Sequence, residues 1–249
     1  MKLHIEPLEK KIFDLVDRAA KKLGQDVFVI GGFVRDRVLE IPCKDIDFVT
    51  SGDGPALAEA VNAELGNPPN NLSIFKTFGT AMIRYEDWEL EFVGARKESY
   101  SQDSRKPSVS QGSLEDDQLR RDFTINALAF ALSGEHVYEV IDPFDGLTDL
   151  QSKRIVTPLD PERTFSDDPL RMLRAIRFAS QLTGFRIDPV TLAAIRSMCD
   201  RISIVSMERI TYELNKIICS KIPSQGFLLL EQRGLLKIIF PELEAMKGV

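Results

Sequence analysis

Hydrophobic and polar positions follow two different periods along this chain, and the period changes part-way. Up to about residue 150, short runs with alternating apolar residues predict β-strands at 26–30, 46–50, 80–85, 88–93 and 136–141. Residues 9–23 and 55–65 instead carry apolar positions at helical spacing, Leu15, Ala19 and Leu23 among them, and predict amphipathic helices. From about Pro158 onward there is no convincing strand, and 167–183, 189–199, 206–219 and 222–238 all read as helices. Asp188-Pro189 and Ile222-Pro223 punctuate them, as proline near a helix start does. The pattern therefore predicts a mixed α+β domain with a small sheet over residues 1–155, followed by an all-helical domain over 156–249. Residues 97–113 are rich in Ser, Gln, Lys, Arg and Asp with almost no apolar residue, which predicts a mobile loop, because too little surface can be buried to offset the ordering entropy.

Composition narrows the chemistry. The apolar runs 27–30 and 227–230 fall far short of the ~20 residues that a membrane-spanning helix requires, and no long apolar segment follows the N-terminus. The expectation is a soluble cytoplasmic protein without a membrane partner. Cys43, Cys199 and Cys219 are isolated and odd in number, so neither a disulfide framework nor a thiolate zinc site is suggested. His4 and His136 are the only imidazoles, which leaves carboxylates and arginines as the residues to carry any catalysis. A net charge of -6 argues against indiscriminate binding to a polyanion while leaving room for a local basic surface.

Three features suggest a phosphate-handling site. Gly31 and Gly32 follow a strand and open a short helix, where backbone amides can approach a phosphate, although such a pair alone is more often just a turn. In the next strand alternation sets Asp45 and Asp47 on one face and Ile46 and Phe48 on the other, with the two acids roughly 6.6 Å apart along the strand. A generic pair of this kind is more often the wet face of an edge strand. The strand at 88–93 adds a third carboxylate, Glu89 or Glu91. Three acids on neighbouring strands repel one another without cations, and two hard divalent ions such as Mg²⁺ would relieve that while activating a hydroxyl and stabilising a leaving phosphate.

Five stretches in order then resemble the head of the class II tRNA nucleotidyltransferases, the family of bacterial CCA-adding enzymes and poly(A) polymerases within the DNA polymerase beta superfamily. They are GGFVRD with KDIDF at 31–48, LEFVGARKESY at 90–100, RRDFTINALAF at 120–130, DPFDGLTDL at 142–150 and DDPLRMLRAIRFA at 167–179. A later SMERITYELNKI, at 206–217, is similar to the family's helical-neck motif. The resemblance implies a DNA polymerase beta-like nucleotidyltransferase head followed by a helical neck. It implies CMP and AMP transfer from CTP and ATP to the 3' end of tRNA, with two Mg²⁺ ions. Asp45 and Asp47 match its metal-binding pair and Glu91 its third catalytic carboxylate, while Gly31, Gly32 and Arg35 match the turn that holds the triphosphate. Arg121, Asp122 and Asn126 match the motif that contacts sugar and phosphates, and Asp168 and Arg171 the pair that reads the incoming base.

That last assignment has a physical rationale. On one helix, positions i and i+3 share a face, so Asp168 and Arg171 would offer an acceptor and a donor fork together. Cytosine and adenine both carry an exocyclic amine beside a ring-nitrogen acceptor, so such a pair favours them over uracil and guanine. Without the motif, a weak surface ion pair would be the simpler reading. Arg171, Arg174 and Arg177 either face the triphosphate or RNA backbone, or form the wet side of an amphipathic helix whose apolar side includes Leu170, Leu173 and Ile176. Asp142-Pro143-Phe144-Asp145-Gly146 reads as a structural turn joining head to neck.

Asp167 stands where many relatives have Glu. Members also usually continue beyond this point into regions that grip tRNA, and two isolated His exclude the HD phosphohydrolase domain that many carry. The sequence is therefore expected to be a fragment. Poly(A) or A-only addition, to tRNA or another RNA 3' end, stays open at this level, as does a catalytically inert RNA-binding module.

Overall fold

Glu6 and Glu9 start the first helix, α1 (Pro7–Lys22), with a reciprocal capping box in which the Glu6 amide donates to Glu9 Oε2 at 2.8 Å. Its buried face, Ile12, Phe13, Val16, Ala19 and Ala20, lies against a sheet. Phe13 meets Phe33, Phe48 and Phe130 edge-on at centroid distances of 5.8, 6.2 and 5.6 Å. The computed structural model describes residues 1–66, 69–101 and 104–246.

After α1 come β1 (Val27–Ile30), α2 (Gly32–Val38), β2 (Asp45–Thr50), α3 (Gly54–Glu64), β3 (Leu72–Phe75), β4 (Thr80–Tyr85) and β5 (Trp88–Gly94). Then follow β6 (Arg96–Ser101), β7 (Ser104–Gln111), α4 (Leu114–Leu119), β8 (Ala129–Ala131), β9 (Val140–Ile141) and α5 (Gly146–Gln151). Seven of the strands form one mixed sheet in the order β3-β4-β5-β2-β1-β8-β9, with β2 and β5 parallel. This part of the chain, Met1–Ser99 with Pro107–Arg121 and Ile125–Leu147, is one compact unit.

Asp122–Thr124, Tyr100–Lys106 and Thr148–Val249 make the second unit. It holds β10 (Arg154–Ile155), α6 (Pro161–Asp167), α7 (Leu170–Gln181), β11 (Arg186–Ile187) and α8 (Pro189–Met198), then α9 (Met207–Ile218), α10 (Pro223–Gln232), α11 (Leu236–Ile239) and α12 (Pro241–Ala245). Helices cross closely here. A Cβ on Gly226 would stand 2.4 Å from Ile217 and 2.6 Å from Ser180. No helix among the described residues is long and apolar enough to cross a membrane.

Four expectations need correction. Most of 97–113 is a two-stranded sheet of β6 and β7, because backbone pairing does not require apolar side chains. The strand expected at 136–141 is reduced to β9, since Gly134 (φ 96°) and Tyr138 (φ 63°) take the chain through left-handed turns just before it. A strand does occur after Pro158: β11 pairs in parallel with β10. The helix expected over 167–183 is broken at Asp168 (φ -142°, ψ 101°), the residue that Pro169 steers away from helical backbone.

Candidate active site

In β2 the pattern that buries Ile46 and Phe48 turns Asp45 and Asp47 to the opposite face. In β5 it buries Leu90 and Phe92 and turns out Glu89 and Glu91. Parallel pairing sets Phe48 opposite Phe92, stacked at 5.0 Å, and so sets Asp47 opposite Glu91 and Asp45 opposite Glu89. Glu89 is engaged with Arg84 at 3.4 Å. The register therefore singles out Glu91 as the acid facing Asp47.

Their mutual repulsion is visible in Glu91. Loss of hydration around its carboxyl raises its pKa above the ordinary value of 4.5, the charge of Asp47 raises it further, and Arg121 and Arg96 oppose the shift. Such a carboxyl binds its proton more tightly in the fold than in the unfolded chain, so metal-free protein loses stability as pH rises from about 4.5 through the raised value and Glu91 ionises. Asp47→Asn should bring the Glu91 titration midpoint down and Arg121→Gln should push it up, measured by carbon NMR of the labelled carboxyl.

β1 pairs Ile30 with Asp47 and delivers the chain to Gly31, whose amide donates to the Leu128 carbonyl at 2.9 Å. Gly31 has φ 85°, and a Cβ there would stand 2.8 Å from Arg121 Nη1 and 3.2 Å from Asp47 Oδ2. Only glycine suits the position. Gly31→Ala should lower stability by about 1–3 kcal/mol in urea unfolding, from the left-handed backbone alone, and displace Arg121 as well.

Gly32 opens α2, which carries Arg35. The Arg35 guanidinium donates through Nε and Nη2 to Asp36 at 2.7 and 2.9 Å, and through Nη1 to Asn126 Oδ1 at 2.6 Å. Arg35 and Asn126 thus brace the glycine turn. Arg121 reaches Asp47 with Nη1 at 3.8 Å, while its Nε and Nη2 lie on Asp117 at 3.3 and 3.2 Å. Asp117 is fully buried and also takes Arg120, so it sets the pose of Arg121. It was missed in the sequence, although its i, i+3 and i, i+4 spacing to the two arginines was readable there.

The helical unit holds the remaining five residues. Asp122 is buried and accepts from Arg174 Nε at 2.6 Å. Arg174 also reaches Glu213 at 3.7 Å, and Arg177 donates to the same carboxylate at 2.6 Å and to Gln181 at 2.9 Å. Asp122, in first place, holds the Arg174 pKa above its usual value; burial lowers that of Arg177 and Glu213 counters it. The arginine side of α7 is therefore neither wet nor open at Arg177, which lies inside an ion-pair network with Glu213. Glu213, a second residue the sequence reading left unassigned, lies within the 206–217 motif.

Asp168 and Arg171 do not share one helix. Asp168 caps the gap between α6 and α7, accepting from the Leu170 amide at 3.2 Å, and Arg171, in the first turn of α7, donates to the Thr164 carbonyl at 3.4 Å.

Among the described residues no three His, Cys, Asp or Glu side chains already form a closed metal cage. The donor set nevertheless fits a hard divalent cation: it is all carboxylate, and in the pair facing across β2 and β5 the charge of Asp47 still raises the Glu91 pKa despite the opposing Arg121 and Arg96.

A mixed sheet that presents paired acids beside a glycine turn and an arginine is a nucleotidyltransferase head, here followed by a helical unit. The chain belongs to the family of the poly(A) polymerase head domain, which it matches over residues 27–156, and residues 184–247 match the region described as "Probable RNA and SrmB- binding site of polymerase A". It is 37% identical to a CCA-adding enzyme of Enterococcus faecalis over 88% of this chain and 51% of that protein. It is 34% identical to an A-adding tRNA nucleotidyltransferase of Halalkalibacterium halodurans, over 92% of this chain and 52% of the relative. The solved Thermotoga maritima CCA-adding enzyme complexed with tRNA_CCA superposes with a TM-score of 0.80 at 30% identity, covering 95% of this chain and 53% of that one. The chain thus spans about half the length of these relatives.

Proposed function

We propose that the protein adds C and A residues to the 3' end of tRNA without a nucleic-acid template, using CTP and ATP. The observation that carries this reading is the Asp47–Glu91 register, with Asp45 on the same strand face and Gly31 and Arg121 beside it. Asp45 and Asp47, with Glu91, would hold Mg²⁺, which supplies activation of the RNA 3'-hydroxyl and neutralisation of charge on the departing pyrophosphate. Gly31 and Gly32 form the turn that would hold the triphosphate, braced by Arg35 and Asn126. Arg121, held by Asp117, brings a cation to the same place. Asp168 and Arg171 offer the acceptor and donor that select cytosine and adenine. We assign Asp122, Arg174 and Arg177 to positioning within the helical unit, in place of direct contact with nucleotide by Arg177.

Incubation with labelled CTP and ATP and a tRNA lacking its 3' CCA tests the reading. Mg²⁺-dependent incorporation is expected, and it should vanish in the Asp45→Ala, Asp47→Ala double variant. No incorporation by wild type, or unchanged incorporation by the double variant, refutes it.

The second reading is A-only or poly(A) addition. The A-adding relative supports it, being nearly as similar as the CCA-adding one. Product length with ATP alone, against CTP plus ATP, separates the two. An inert RNA-binding module fits poorly, because binding alone gives no reason to keep the Asp47 and Glu91 carboxylates in mutual repulsion.

A further inference from the structure

Asp168 lacks the usual support of a helix. Pro169 holds it in extended backbone between α6 and α7, so its carboxylate must be oriented by side-chain and capping contacts. Arg209, in α9, supplies them: Nη2 lies 2.8 Å from Oδ2 and Nη1 3.3 Å from Oδ1. The Leu170 amide adds a third donor, to Oδ1 at 3.2 Å. Oδ1 therefore accepts twice and Oδ2 once, which leaves an acceptor position on Oδ2. The pair stays accessible, with the Arg209 side chain 44% exposed and that of Asp168 26% exposed. An ion pair this exposed adds little to stability, about 0–1 kcal/mol, so stability is a weak reason for its geometry.

We propose that Arg209 is a specificity-determining positioning residue: its two-pronged grip fixes the plane of the Asp168 carboxylate and presents Oδ2 as an acceptor to the amine of cytosine or adenine. This rests on the reading of Asp168 and Arg171 as the base-selecting pair. A guanidinium fork suits the task because its coplanar N–H donors fix the plane of the carboxylate, whereas an ammonium is a point charge whose donors rotate freely. The keto oxygen of uracil or guanine brought to the same place would oppose acceptor to acceptor. A carboxylate released from Arg209 could turn away from that opposition, and selectivity would fall.

The test is equilibrium binding of CTP, ATP, UTP and GTP, each with Mg²⁺, to wild type, Asp168→Ala, Arg209→Gln and Arg209→Lys, with melting curves on all four proteins. Wild type should prefer CTP and ATP, and Asp168→Ala should lose the preference. Arg209→Gln should reduce it about tenfold with the melting temperature nearly unchanged, and Arg209→Lys should fall between. If wild type shows no preference, or Asp168→Ala keeps it, the base-selecting reading fails and the proposal with it. If Asp168→Ala loses the preference while Arg209→Gln keeps it, or weakens all four nucleotides equally, the proposal alone is overturned. Should Arg209→Gln melt early, Arg209→Lys decides: a reduced preference supports the proposal and an unchanged one overturns it.

Discussion

Asp47→Asn leaves the protein folded and lowers nucleotide incorporation by about a thousandfold, equivalent to about 4 kcal/mol of transition-state stabilisation. The substitution keeps the size of the side chain and removes only its charge. Asp47 stands opposite Glu91 across β2 and β5, with Arg121 at 3.8 Å, so one neutral amide there takes away the charge that a divalent cation would need. The buried side of the strand is untouched, since Ile46 and Phe48 face the other way. Removing a like charge from beside Glu91 also relieves repulsion, so the melting temperature should hold or rise slightly. Steady-state kinetics with labelled CTP and a melting curve on the same preparation check both halves. Loss of activity accompanied by early melting would point to a structural role for Asp47.

Glu213→Ala has the largest expected effect on stability. The Glu213 carboxylate is 2% exposed and accepts from Arg177, whose side chain is 9% exposed, at 2.6 Å. Burial already pushes the Arg177 pKa down, and Glu213 is the first of the groups that counter it. Removing that carboxylate strands a buried guanidinium, which costs about 3–5 kcal/mol. For a protein of this size that corresponds to roughly 10 °C of melting temperature. Glu213→Leu combined with Arg177→Met should recover much of the loss, because two well-packed apolar side chains need no compensation for desolvation. Denaturant unfolding of the single and double variants measures the difference, and a loss under about 1 kcal/mol for Glu213→Ala would show that the network is not coupled.

The features legible in the sequence were those with a local cause. Alternation along β2 and β5 places Asp45, Asp47, Glu89 and Glu91 on faces opposite to buried neighbours, and this needs no partner strand. The ordered motifs added the family, hence the roles expected of Gly31, Arg121 and Asp168. Where local reasoning failed, the reason was also physical. Residues 97–113 have almost no apolar side chains, yet β6 and β7 pair, because backbone pairing does not require them. The helical period runs through Asp168, but the steric demand of Pro169 overrides periodicity at that residue.

The chain's amino-acid order by itself determined which side chains are acids on one strand face, where a glycine turn follows the first strand, and which half is helical. Tertiary structure decided what those side chains meet. Choosing Glu91 over Glu89 as the partner of Asp47 takes the parallel register of β2 and β5, strands that are not consecutive in the chain. Burial of Arg177 against Glu213, 36 residues further along, and the grip of Arg209 on Asp168, 41 residues away, arise only when α9 is packed against α7 and the α6–α7 junction. Side-chain charge and backbone preference act over a few residues, whereas desolvation and ion pairing depend on what is brought near from elsewhere in the chain.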